Sequence, residues 1–133
     1  MKRFVALFLM AAMLLSACSS ALAFSGVTLD CTENKSYVNV GSWTASDDHV
    51  GKVYIYHTVS TSSAGYTNHF RIYVDGATSA NNNKWVTPGT NTPISSSAIE
   101  DGSSVLVKAR GNTKYNDDGY STIKISGTIG WPL

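Results

Sequence analysis

From residue 53 to 59 the chain alternates, with Val53, Ile55, His57 and Val59 at odd positions and Tyr54, Tyr56 and Thr58 at even ones. Phe70, Ile72 and Val74 alternate in the same way with His69, Arg71 and Tyr73, and Val105, Val107 and Ala109 alternate with Leu106, Lys108 and Arg110. A period of two marks a strand with one buried face, because successive side chains leave opposite sides of the pleat. Beyond residue 23 no stretch repeats apolar residues at helical spacing. The pattern predicts strands over 27–31, 36–40, 51–60, 66–75, 84–87, 104–110 and 121–129. Turn-forming clusters separate them: Asp47-Asp48, Asp75-Gly76, Asn81-Asn82-Asn83, Pro88-Gly89, Asp101-Gly102 and Asn116-Asp117-Asp118-Gly119. About seven short strands with regular turns predict an all-β chain, a single antiparallel β-sandwich or small barrel over residues 24–133.

Register follows from the faces, since a one-residue slip would turn an apolar set outward. Pairing Val53 with Val74 and Ile55 with Ile72 joins 51–60 and 66–75 in a hairpin. Its second face then carries Tyr54, Tyr56, Arg71 and Tyr73, with His69 beside them. A second hairpin sets Val105, Val107 and Ala109 against Gly127, Ile125 and Ile123, with Lys108, Arg110, Thr122 and Lys124 outward. Tyr offers a large flat contact area at little entropic cost and keeps a polar handle. The set Tyr54, Tyr56, Arg71 and Tyr73 is therefore the expected ligand-binding surface, suited to stacking on sugar rings or on a partner protein.

One long apolar run breaks the alternating pattern. Lys2 and Arg3 precede an apolar run over 4–15, followed by small residues ending Ala21-Leu22-Ala23. This is the layout of an export signal over residues 1–23, and a run of about a dozen residues falls short of the ~20 a membrane span needs. Two processing routes compete. Leu15-Ser16-Ala17-Cys18 resembles the lipobox of bacterial lipoproteins, which makes Cys18 a lipidation candidate. Ala21-Leu22-Ala23 before Phe24 fits ordinary signal peptidase. The expected location is outside the cytoplasm, either anchored in the envelope through Cys18 or free in the medium. Both routes leave Cys31 without an intramolecular partner, which excludes a disulfide framework and predicts a buried thiol at the end of the first strand.

Charge removes one class of function. Lys2 and Arg3 belong to the leader, so the rest of the chain carries slightly more acidic than basic residues. Its Lys and Arg are dispersed singly in sequence, whereas nucleic-acid binding rests on clustered cations. No nucleic-acid partner is expected.

The remaining chemistry-bearing residues form no motif. His49, His57 and His69 show no HxH or HExxH spacing, although a register shifted by one residue would set His57 opposite His69. Asp47-Asp48 and Asn116-Asp117-Asp118-Gly119 offer the hard oxygen ligands that Ca²⁺ takes, but match no EF-hand loop and suit tight turns equally. No cofactor is expected. Glu33 and Glu100 are the only glutamates, neither lies in a recognisable motif, and no G-x-S-x-G occurs. The chain reads as a non-enzyme, with a secreted hydrolase as the least favoured alternative.

Leu106-Val107-Lys108-Ala109-Arg110-Gly111-Asn112, Tyr120, Ser126-Gly127 and Trp131 resemble the closing strands of small exported all-β proteins of Gram-positive bacteria. The likeness covers the last quarter of the chain. It implies a single exported domain of about a hundred residues. A few such proteins are bacteriocins, which makes a secreted antagonist the alternative to the leading expectation, a non-catalytic module binding a cell-wall or environmental glycan or a surface protein.

Overall fold

The computed structural model describes residues 21–60 and 66–130. The alternating segments become strands β1 (Leu22–Asp30), β2 (Val38–Thr44), β3 (Lys52–Val59), β4 (Asn68–Val74), β5 (Asn82–Val86), β6 (Thr92–Ser95), β7 (Ser104–Arg110) and β8 (Thr122–Gly130). One short helix, α1 (Lys114–Asp117), interrupts the β7–β8 connection. The strands form two four-stranded antiparallel sheets, ordered β1-β8-β3-β6 and β2-β7-β4-β5. Their apolar faces meet, giving the sandwich expected from the pattern. Val53, Ile55, Phe70, Ile72, Val105 and Ile125 are all fully buried between the layers, each contributing ~1.5–3 kcal/mol of hydrophobic stabilisation.

The two proposed hairpins do not form. β3 pairs with β6 and β8, while β4 pairs with β5 and β7. β7 lies in the second sheet, β8 in the first. Among consecutive strands only β4 and β5 are neighbours in one sheet, joined through a turn in which Asp75 (φ 50°) and Gly76 (φ 72°) are left-handed. The 60–67 and 111–121 connections are long enough to step across the ~10 Å between packed sheets. An inward apolar face is satisfied by packing across the sandwich as well as by lateral pairing, so Ile55 and Ile72 share the core without sharing a ladder.

Strand boundaries depart from the expectation in several places: β2 runs over Val38–Thr44 where 36–40 was expected, and β5 starts at Asn82 rather than at residue 84. β6, with Pro93 in an edge strand where its missing N–H does no harm, was hidden by its small polar neighbours. β1 begins at Leu22 rather than at residue 27, because Leu22, Ala23 and Phe24 pair with Ile129, Thr128 and Gly127 before a bulge at Ser25-Gly26. Gly127 is required where β3 and β8 approach closely: a Cβ there would lie 1.9 Å from the Tyr56 carbonyl oxygen and 2.8 Å from the His57 Cα.

Candidate functional site: a cationic and aromatic face

The outer face of the second sheet is built in rows. In register across β7, β4 and β5 stand Arg110, His69 and Trp85, and one step along stand Lys108, Arg71 and Asn83. Alternation places these side chains opposite the buried set of Phe70, Ile72, Val107 and Ala109. Tyr37, immediately before β2, folds over the rows. Its ring lies 4.0 Å from the Arg71 guanidinium carbon and 5.2 Å from that of Arg110. The Trp85 ring closes the other side, 4.8 Å from the His69 ring and 6.0 Å from the Arg110 guanidinium carbon. Further along the face, the Lys108 ammonium sits 4.9 Å from the Tyr73 ring. Cation–π contacts of this kind contribute ~0.5–1 kcal/mol each at exposed sites.

His69 holds the cluster together. The Tyr37 hydroxyl donates to its Nδ1 at 2.5 Å, and its Nε2–H donates to Asn83 Oδ1 at 3.1 Å. This assignment uses both ring nitrogens of a neutral imidazole. Burial, then the Arg110 charge, and more weakly Arg71, hold the His69 pKa below its ordinary value, while the Asn83 bond acts in the opposite sense. The neutral state keeps Tyr37 in place. Lys35 joins the cationic group: burial, then Arg110, lowers its pKa.

Charge balance gives the face its chemistry. The Nε atoms of Arg71 and Arg110 are buried and have no hydrogen-bond partner. Among the described residues no carboxylate answers either guanidinium. Cations dispersed along the sequence are thus gathered by the fold, and an exposed indole stands beside them, with Trp85 44% accessible. Asn83 also lines a cleft of about 300 Å³ with Lys84, Pro93 and Ser95 at the seam between β5 and β6. The arrangement can take a flat ring on Trp85 and an anionic substituent at the guanidiniums.

The sequence-predicted surface is divided. Arg71 and Tyr73 lie on this face, but Tyr54 and Tyr56 point from β3 to the outer face of the other sheet, across the full thickness of the sandwich. Tyr37, Trp85 and Arg110 were missed because no local pattern links them. Trp85, exposed on an edge strand, was the available signal.

The other candidates are also separated. His57 points into the core and His69 outward from a different sheet, so they do not meet. His49 is buried, with Nδ1 2.8 Å from Ser46 Oγ and its ring 5.6 Å from that of Trp43. Asp47 opens a 3-10 turn, and Asp101 beside it raises its carboxyl pKa. Asp117 belongs to α1. Among the described residues no group of three or more His, Cys, Asp or Glu is placed to hold a metal ion. Glu33 and Glu100 are exposed in separate connections. Cys31 is fully buried just after β1, and burial pushes its thiol pKa up. Cys18 and Trp131 lie outside the described residues.

The fold and this face define a two-sheet antiparallel β-sandwich carrying a cationic and aromatic patch. Compared with known protein families, curated proteins and solved structures, the chain matches none.

Proposed function

We propose that this protein is a non-catalytic binding module that takes an anionic glycan on the outer face of the β2-β7-β4-β5 sheet. The observation that carries the reading is the pair of guanidiniums, Arg71 and Arg110, held around Tyr37 with no carboxylate among the described residues to answer them. A carboxylate on a sugar ring supplies a counter-charge that the described residues do not, and pairing of a carboxylate with an Arg guanidinium is strong and directional. Trp85 supplies a platform for the ring itself. The patch is only a few cations wide, which suits a uronic-acid polymer better than the extended phosphate track of a nucleic acid.

The test is retardation of the purified protein in gels containing polygalacturonate, a neutral glucan, or no polymer. Retention is expected on polygalacturonate alone, falling as NaCl rises from about 50 to about 500 mM. Trp85→Ala and Arg110→Ala should each weaken binding about tenfold, equivalent to ~1.4 kcal/mol. Replacing Tyr54 and Tyr56 together by Ala should leave it unchanged. Absence of wild-type retention, or stronger capture by a single-stranded oligonucleotide, would overturn the glycan assignment.

A further inference from the structure

His69 is the buried member of the cationic face, whereas Tyr37, Arg71 and Arg110 around it are half-buried. The groups facing its ring come from every element packed against it: Arg71 from its own strand, Arg110 from β7, Asn83 and Trp85 from β5, and Tyr37 from the segment before β2. The charged ones, Arg110 and Arg71, are both cations, and Lys35 near Arg110 and Lys108 in the next row carry the same sign. Two oxygens end the ring, the Tyr37 hydroxyl 2.5 Å from Nδ1 and Asn83 Oδ1 3.1 Å from Nε2. The amide oxygen accepts from Nε2–H in either charge state of the ring. The phenol donates to a bare Nδ1 and accepts once Nδ1 carries a proton. Charging the ring therefore moves no side chain: Tyr37 keeps its place, and only its hydroxyl proton turns away. His69 has acceptors ready for a charge that its cationic neighbours oppose.

We infer that docking of an anionic ligand at Arg71 and Arg110 is coupled to uptake of one proton from solvent at His69 Nδ1, so that this face holds its ligand more tightly as pH falls. The ligand carboxylate offsets the guanidinium charge that disfavours the imidazolium. The Tyr37 O–H, released from the ring, becomes a further donor to that carboxylate. His69, being buried, acts through Tyr37 rather than by touching the ligand, and is a positioning residue. The coupling rests on the anionic-glycan reading and adds the regulation of that site.

The direction follows from the charges. In the free protein burial, then Arg110 and more weakly Arg71, hold the His69 pKa below its ordinary 6.5. Neutralising the guanidiniums raises it in the complex. Above the bound-state value the ring is neutral in both states, and affinity does not change with pH. Between the two values the complex holds a proton that the free protein lacks, and affinity rises as pH falls, by at most about tenfold per pH unit. Below the free-state value both forms are charged and the rise ends. Uronate carboxylates titrate below about pH 4 and stay ionised through this range.

Trigalacturonate is titrated into the purified protein by calorimetry at about pH 7.5, 6.5 and 5.5 and constant ionic strength, and the His69 ring is followed by NMR across the same range with and without the sugar. Wild-type affinity should rise roughly three- to tenfold from pH 7.5 to 5.5, and saturation with the sugar should move the His69 midpoint up. His69→Gln should bind with an affinity nearly flat over this range. Equal wild-type affinity at the three pH values, an unmoved midpoint in the complex, or the same rise in His69→Gln overturns the coupling while glycan binding stands. Binding at no pH overturns the glycan reading, and the coupling with it. Should His69→Gln fail to fold, the two wild-type NMR midpoints decide.

Discussion

Burial of His57 between the sheets makes stability depend on pH. Its ring is fully buried between the sheets, 5.1 Å from that of Phe70, with Nε2 3.0 Å from Asn68 Nδ2. Accepting at Nε2 puts the ring proton on Nδ1, which has no partner, and Asn68 Oδ1 has none either. Burial alone lowers the pKa from 6.5 to about 4. The depressed value means that the native state resists a proton which the unfolded chain accepts. Stability from this group is therefore constant above pH 6.5 and declines as pH falls from 6.5 towards 4. At pH 4 the unfolded imidazole is protonated and the native one is about half protonated, a difference of ~3 kcal/mol at ~1.4 kcal/mol per pH unit. At pH 5 the same linkage gives ~2 kcal/mol.

The assay is urea unfolding of the wild type and of His57→Leu at pH 7.5, 5 and 4. The change with pH is compared, rather than absolute stability, because Leu also removes the hydrogen bond between Asn68 Nδ2 and the ring. Other groups titrate in both proteins and cancel. The wild type should lose ~3 kcal/mol more than the variant between pH 7.5 and pH 4. Parallel pH curves would refute the reasoning. Should the variant fail to fold, NMR titration of the wild-type His57 ring gives the answer directly, and a midpoint near 6.5 would show that the ring is not buried as described.

Two further outcomes follow from close packing. Gly127→Ala drives a methyl group into the Tyr56 carbonyl and should cost ~3 kcal/mol or more, read as a lowered urea midpoint; an unchanged midpoint would mean that β3 and β8 do not approach as described. Cys31, buried with a raised thiol pKa, should react with a disulfide reagent at least about a hundredfold more slowly in the folded protein than in urea; rapid labelling of the native protein would place the thiol at the surface.

Beyond residue 23, the sequence determined which way most side chains point. Alternation is a local property of the pleat, so Ile55, Ile72 and Val107 were assigned inward, and Tyr56, Arg71 and Lys108 outward, without knowledge of any partner strand. The same locality limited what could be read. An apolar face directs a strand to a core but does not say in which of two sheets it lies, and pairing β3 with β4 satisfied the pattern as well as packing them across the core. That choice rests on non-local contacts, such as β8 between β1 and β3 and β7 between β2 and β4. It separated Tyr54 and Tyr56 from Arg71 and Tyr73, and it brought Tyr37, His69, Trp85 and Arg110 together from four distant segments. Sequence chemistry supplied the aromatic rings and the cations; only the tertiary structure decided that they share one face.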